Sequence, residues 1–229
     1  MFLIGGLQKT TLIDFPSKIA AIVFTQGCNL RCGYCHNPEL LDFEPKPNYT
    51  TDDFFDFLKL RRGKLDGVVI TGGEPTLQSG LFDFVQKVKS LGFAVKLDTN
   101  GTNPAMLKNL IDAKLLDYIA MDIKSPLDKY ELITGRSIRK EDISKSIELI
   151  MTSGVDYEFR TTVVKSMLDL DDFVKIGEMI NGAKQYYLQK FIPSKIYDEK
   201  LLNSNNYTDS EFNIICKRLE KYVENVAWR

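Results

Sequence analysis

Three of the four cysteines fall within one short stretch, Gly27-Cys28-Asn29-Leu30-Arg31-Cys32-Gly33-Tyr34-Cys35-His36-Asn37-Pro38, while Cys216 stands alone near the C-terminus. Thiolates spaced C-x3-C-x2-C can bind three irons of a cubane and leave the fourth iron free to take a substrate. Other chemistries suit parts of the same string. Cys32-Gly33-Tyr34-Cys35-His36 has the C-x-x-C-H form of a haem attachment site, which leaves Cys28 without a role and needs an export context. Cys28, Cys32, Cys35 and His36 are zinc-ligand types, although structural zinc sites usually take two pairs from separated turns. Three inert core cysteines are the remaining reading, and clustering in one glycine-containing loop weighs against it.

Four more groups carry polar chemistry. Gly72-Gly73-Glu74-Pro75 pairs backbone that can approach a ligand closely with an anion suited to an ammonium group; the plain alternative is a strand-to-helix turn. Asp98 and Asn100 end another apolar run and could read hydroxyl groups, or Asn100-Gly101 could be an ordinary turn. Asp122 and Lys124 share one face of a strand, since side chains repeat every two residues, and could hold a ligand or simply pair with each other. Arg160 lies among Phe159, Val163 and Val164. A buried guanidinium there either clamps a carboxylate or pairs with Glu158 or Asp122. His36 is the only histidine and no nucleophile accompanies it, so triad catalysis is excluded and a local packing or hydrogen-bonding role is expected.

The elements that must position these residues alternate. Apolar, β-branched runs at Ile19 to Thr25, Gly67 to Thr71, Phe93 to Thr99, Tyr118 to Ile123, Tyr157 to Val164 and Gln185 to Phe191 read as strands of a buried parallel sheet. Segments with apolar residues at helical spacing follow them: Phe54, Phe57 and Leu58; Leu81, Phe84, Val85 and Val88; Leu107, Leu110 and Ile111; Ile143, Ile147 and Ile150; Phe173, Ile176 and Ile180. A final helix at about 208–225 carries Phe212, Ile215, Cys216, Leu219 and Val223, with Cys216 on its apolar face. Thr50 with Asp53 forms a candidate capping box, Pro104 a helix start, and Gly92 and Gly154 helix ends. Six βα units fit either an open doubly wound sheet or a partial barrel, and the cysteine loop then sits at the C-terminal end of a strand, where such folds place their chemistry.

Composition excludes several classes. With 229 residues, 44% hydrophobic and 27% charged, the chain is that of a globular domain. No linker divides it, although Asp42 to Asn48, with Pro45 and Pro47, reads as an extended surface segment, so residues 1–229 are read as one domain. Thirty Lys and Arg balance thirty-one Asp and Glu, which removes the footprint of a nucleic-acid or anionic-membrane binder. Lys9 and Asp14 interrupt the apolar start before a signal or membrane span is complete, and a cytoplasmic protein is expected.

The string Cys28, Cys32, Tyr34, Cys35 after the first strand resembles the cluster motif of the radical S-adenosylmethionine enzymes. Gly72-Gly73-Glu74-Pro75 resembles the GGEP motif of that family, while Asp98-Thr99-Asn100-Gly101, Asp122, Lys124 and Arg160 resemble ribose- and carboxylate-contacting positions of its glycyl-radical-activating branch. The opening Gly6 to Pro16 and Cys35 to Leu40 are similar to activating proteins of anaerobic ribonucleoside-triphosphate reductase. The resemblance implies an incomplete (β/α)6 TIM-type barrel with parallel strands, cluster loop 26–38, a 4Fe-4S cluster on Cys28, Cys32 and Cys35, and S-adenosyl-L-methionine held by Tyr34, Gly72, Gly73, Glu74, Asp98, Asn100, Asp122, Lys124 and Arg160. It implies reductive cleavage to a 5′-deoxyadenosyl radical that takes hydrogen from a glycine of a glycyl radical enzyme, with a flavodoxin or ferredoxin type reductant. A monovalent cation near Asp98, Thr99 and the Ala120 carbonyl is a further implication. Two rivals are a family member acting on a small molecule, such as in deazaguanine synthesis, and a non-catalytic electron-transfer protein. The strand-six histidine of the pyruvate formate-lyase activating branch is absent, with Gln189 or Lys190 in its region.

Overall fold

Strands β1 (Ile4–Thr11), β2 (Ala20–Thr25), β3 (Gly67–Gly72), β4 (Ala94–Thr99), β5 (Tyr118–Asp122), β6 (Asp156–Val163), β7 (Ala183–Lys190) and β8 (Val223–Trp228) form one sheet whose spatial order is the chain order. They belong to a computed structural model that describes residues 1–43 and 49–229. β1 runs antiparallel to β2, and every later neighbour is parallel. The crossovers carry helices α1 (Thr51–Leu60), α2 (Leu81–Ser90), α3 (Pro104–Asp112), α4 (Tyr130–Thr134), α5 (Lys140–Thr152), α6 (Leu170–Met179) and α7 (Asp209–Leu219). The six expected βα units are thus present, from β2 with α1 to β7 with α7.

Sequential strand order decides between the two architectures. A doubly wound sheet reverses its order at a switch point, whereas right-handed crossovers between successive neighbours put every helix on the same face. The other face must then curl inward, and the result is a partial TIM-type barrel. The strand faces agree. Val23, Ile70, Leu97, Met121, Phe159 and Leu188 point outward into the main apolar core with Phe54, Leu81, Leu107, Ile147, Phe173, Ile215 and Cys216 from the helices. Inward, Ile22, Val69 and Tyr118 close the N-terminal end with Phe15 and Ala20. Nearer the C-terminal ends the inward positions turn charged: Lys96, Asp98, Asp122, Glu158 and Arg160.

Local signals position these elements. The Thr50 hydroxyl accepts from the Asp53 N–H at 3.0 Å and the Asp53 carboxylate accepts from the Thr50 N–H at 3.2 Å, completing the capping box of α1. Pro104 opens α3, and Gly92 and Gly154 follow α2 and α5 closely.

Two parts of the fold differ from the sequence reading. β1 was not expected, because its Gly5-Gly6 pair and the polar run Gln8-Lys9-Thr10 break the apolar alternation of a strand. The final helix stops at Leu219 rather than continuing to about 225. Val223 lies four residues on and extends the helical stripe, but the chain turns at Glu220 to Tyr222 and Val223 begins β8 instead. Most of the expected surface segment Asp42 to Asn48 lies outside the described residues.

Candidate active site at the C-terminal ends of the strands

The cysteine loop leaves the end of β2 and is fixed by main-chain bonds. The Gly27 N–H donates to the Leu40 carbonyl at 2.8 Å, the Cys28 N–H to Leu41 at 3.0 Å, and the Arg31 N–H to Thr134 at 2.7 Å. Its side chains build an apolar cluster in which Cys28, Leu30, Cys32 and Tyr34 pack with Leu41, Ile133, Val164, Phe191 and Ile196, and the half-buried Cys35 adjoins it. Burial pushes the Cys28 thiol up to about 12 against a partial offset from the Leu30 N–H, and raises Cys32 against the nearby Lys124 ammonium. The Tyr34 hydroxyl is buried with no partner of ordinary hydrogen-bond geometry among the described residues, close enough to Cys32 to counter part of that thiol's shift.

The turn after β3 is welded to this loop. The Glu74 N–H donates to the Gly27 carbonyl at 2.8 Å and the Gly73 N–H to Thr25 at 2.9 Å. Gly72 has φ +110°, a left-handed conformation, and a Cβ on Gly73 would lie 2.1 Å from the Gly27 oxygen. The close approach these glycines permit is therefore to backbone, to Phe24 and Thr25 of β2 for Gly72 and to Gly27, just before Cys28, for Gly73. Gly73→Ala must displace Gly27 and Cys28; a loss of about 2–3 kcal/mol in chemical denaturation, with reduced iron uptake on reconstitution, is expected. Unchanged stability and iron content would show that the loop tolerates the shift.

Glu74, 1% exposed, receives four donors. Its Oε1 accepts from the Thr76 N–H at 3.1 Å, the Thr76 hydroxyl at 2.6 Å and the Thr99 hydroxyl at 2.7 Å, and its Oε2 from the Asn100 N–H at 2.7 Å. Burial raises its pKa, and the donors from Thr76, Asn100 and Thr99 oppose this. A carboxylate has about four lone-pair directions, and Oε2 keeps one that these bonds do not use. The Asn100 side chain is committed within the protein: its amide nitrogen reaches Asn29 Oδ1 at 3.0 Å and its oxygen accepts from the Thr102 hydroxyl at 2.7 Å.

Inside the barrel the charges alternate in sign. Lys96 pairs with Asp98 Oδ1, Arg160 Nη1 reaches Asp98 Oδ2 at 3.2 Å, Arg160 Nε donates to Asp122 Oδ1 at 2.8 Å, and Lys124 Nζ meets Asp122 Oδ2 at 3.0 Å. Against the penalty of burial, Arg160 and Lys124 hold Asp122 down to about 2, and Arg160 and Lys96 lower Asp98. Arg160 thus has the ion-pair partners named as its alternative, and its Nη2 carries no protein partner among the hydrogen bonds described. A monovalent cation at Asp98 would sit beside Lys96 and Arg160, two groups of its own sign, so this donor set does not suit it.

One cavity gathers Cys28, Cys32, Tyr34, Cys35, Gly72, Gly73, Glu74, Asp98, Asn100, Asp122 and Lys124, together with Thr162, which the sequence did not single out. Arg160 lines a second cavity with Lys96, Glu158, Gln189, Lys190 and Arg229, so the region expected to replace the missing histidine faces this second space. His36, beside the first cavity, meets the Ile192 carbonyl through Nε2 at 3.0 Å. Lys96 was missed too, although it stands two residues before Asp98 on the same strand face. Among the described residues no three His, Cys, Asp or Glu side chains are grouped to hold a single metal ion. A cubane takes each thiolate on a different iron, and the three free thiols around one cavity fit that need.

The chain belongs to the radical SAM superfamily, whose family description matches residues 22–180. Within it the chain falls in the branch of glycyl-radical enzyme activating enzymes. A protein of Methanocaldococcus jannaschii assigned as a glycyl-radical enzyme activating enzyme is 36% identical over 236 residues, 99% of this chain and 95% of that one. The pyruvate formate-lyase-activating enzyme of Clostridium pasteurianum is 28% identical over 240 residues, 97% of each chain. Streptococcus suis SuiB bound to S-adenosylmethionine shares the fold, with a TM-score of 0.69 at 14% identity over 89% of this chain and 48% of SuiB, so the chain spans about half of that longer protein. A 4Fe-4S cluster and S-adenosylmethionine are the cofactors of this superfamily.

Proposed function

We propose that this enzyme cleaves S-adenosylmethionine reductively and generates a glycyl radical on a partner enzyme, an anaerobic ribonucleoside-triphosphate reductase. Cluster and S-adenosylmethionine, when bound, supply the 5′-deoxyadenosyl radical. Cys28, Cys32 and Cys35 hold the irons, and the apolar shell of Leu41, Ile133, Val164 and Phe191 keeps water from them. The open lone pair of Glu74 Oε2 accepts the ammonium of the methionine portion. Gly72 and Gly73 fix that turn against the cluster loop, and Tyr34 packs alongside. Asp98, Asp122 and Lys124 offer polar groups to the rest of the cofactor, Asn100 braces Glu74 through its N–H, and Arg160 keeps the two aspartates in position between the two cavities.

The observation that carries a protein substrate is the opening. The second cavity is lined by Ile13, Asp14 and Pro16 after β1 and by Lys190, Ile192 and Arg229 from the β7 and β8 side, across the gap that the partial barrel leaves. Its rim carries Ile13, 86% exposed, and Ile192, 67% exposed, apolar side chains of the kind that mark interaction sites. A loop of a partner can enter there and approach the cofactor from the side. The segment Gly6 to Pro16, whose resemblance favours the reductase as partner, is β1 and the turn that edges this opening.

The test is anaerobic incubation of the reconstituted, reduced enzyme with S-adenosylmethionine and the candidate reductase, followed by electron paramagnetic resonance. A glycyl radical signal on the reductase, and none on pyruvate formate-lyase, is expected. Cofactor cleavage without a radical on any glycyl radical enzyme would favour the small-molecule rival.

A further inference from the structure

Resting on the reading above, we propose that the second cavity holds the partner's glycine by its main chain, with the side-chain amide of Gln189 pairing with a peptide group of the incoming loop. Gln189 shares one face of β7 with Gln185 and Tyr187, since side chains repeat every two residues. That face is the inward one: Gln185 Oε1 accepts from the Tyr118 hydroxyl inside the barrel at 3.5 Å. Gln189 lines the second cavity, and its amide has no partner among the hydrogen bonds described. Sheet register sets it opposite Thr162 of β6, which lines the first cavity. A group bonded to Gln189 therefore stands at the wall between the two cavities, beside the cofactor.

The charge balance selects a neutral ligand. Among the described residues four cationic side chains line the cavity, and each already has a carboxylate: Lys96 has Asp98, Arg160 has Asp98 and Asp122, Lys190 has Asp209 at 3.0 Å and Arg229 has Glu158 at 2.8 Å. A further carboxylate would be a surplus charge there. What the cavity does supply is hydrogen-bonding capacity, from the two N–H donors and the oxygen of the Gln189 amide and from Arg160 Nη2, which no protein group uses among the hydrogen bonds described. A peptide group presents one donor and one acceptor, so a side-chain amide can meet both at once. Glycine has only main chain to recognise. A site that bonds its peptide groups orients its Cα toward the cofactor whatever side chains flank it.

The probe is a synthetic peptide spanning the glycine of the candidate reductase, together with its ester form, in which the amide N–H that follows the glycine is replaced by oxygen. Each is titrated anaerobically, by calorimetry, into the reconstituted enzyme with S-adenosylmethionine bound. Wild type is expected to bind the ester about tenfold more weakly, as for loss of a hydrogen bond that leaves its partner unpaired. Gln189→Leu is expected to bind the two peptides alike, near the ester level of wild type; a loss of packing alone would weaken both and keep their ratio. Gln189→Met, unbranched, serves if the leucine disturbs the sheet. Equal affinity of wild type for the two peptides overturns the proposal, and so does a Gln189→Leu enzyme that keeps the tenfold preference. An aspartate placed beside the glycine that tightens binding, with the gain lost in Lys96→Met, overturns it as well, since the cavity would then be a carboxylate site. Radical formation on the intact reductase without discrimination between the peptides strikes the main-chain clamp alone, whereas wild type that forms no radical on any glycyl radical enzyme strikes the reading beneath it and the clamp together.

Discussion

Cys32→Ala is expected to leave a folded protein that retains no intact cluster after anaerobic reconstitution and releases 5′-deoxyadenosine only at the level of an enzyme-free control. Cys32 is a small side chain in the apolar cluster around the loop, so its truncation should cost on the order of 1 kcal/mol. The loop itself stays anchored by the bonds of Gly27, Cys28 and Arg31 to Leu40, Leu41 and Thr134. Cys216→Ala provides the contrast. That thiol lies in the main core among Phe212, Ile215 and Leu219, and its loss should leave iron content and cleavage intact. The pair of variants separates a missing iron ligand from a general effect of removing a cysteine. A Cys32→Ala protein that keeps the cluster and cleaves S-adenosylmethionine would sink the assignment.

Arg160→Met is expected to be the most destabilising single change in the barrel interior. Arg160, 9% exposed, bridges Asp98 and Asp122, and removing it leaves two buried carboxylates with Lys96 and Lys124 as their cationic partners among the described residues. Breaking a buried ion pair from one side costs roughly 3–5 kcal/mol. The pH dependence identifies the cause. Asp122 is held down to about 2, below its usual value, so its contribution is fully present above the unfolded-state pKa near 4 and is lost as pH falls toward 2. The deficit of the variant relative to wild type should therefore be largest near neutral pH and shrink below about pH 4. Parallel denaturation curves at pH 7 and pH 3.5 measure it. An equal deficit at both would mean that lost packing, rather than lost charge pairing, is responsible.

The strands that carry the chemistry were legible because their apolar runs are unbroken: Ala21 to Val23, Val68 to Ile70 and Ile119 to Met121 can only be buried. The cysteine cluster was legible because it is local, with three thiols in eight residues. The charge network was legible only in part: the pairs of Asp122 with Lys124 and with Arg160 were among the readings, whereas Lys96 and the bridge from Arg160 to Asp98 were not. Arg160 finds Asp98 and Asp122 at sequence separations of 62 and 38, a choice made by sheet register, which puts Arg160 opposite Asp122. Glu74 shows both cases: its bonds to Thr76 are local, while those to Thr99 and Asn100 depend on the neighbouring strand. β1 and β8 were missed for opposite reasons. One lacks a strand pattern, and the other begins with a valine that completes a helical one.

The sequential strand order also bears on how the protein is made. Each βα unit adds to the one before it, and β1 never has to meet β8, so no step requires the two ends of the chain to find each other. The side chains that cover the thiols come from later units: Ile133 after β5, Val164 after β6, and Phe191 and Ile196 after β7. During synthesis Cys28 and Cys32 therefore lack most of their apolar cover long after their own loop has emerged, and gain it only when the second half of the chain docks. The order of translation leaves an interval in which solutes can reach thiols that the finished fold largely covers.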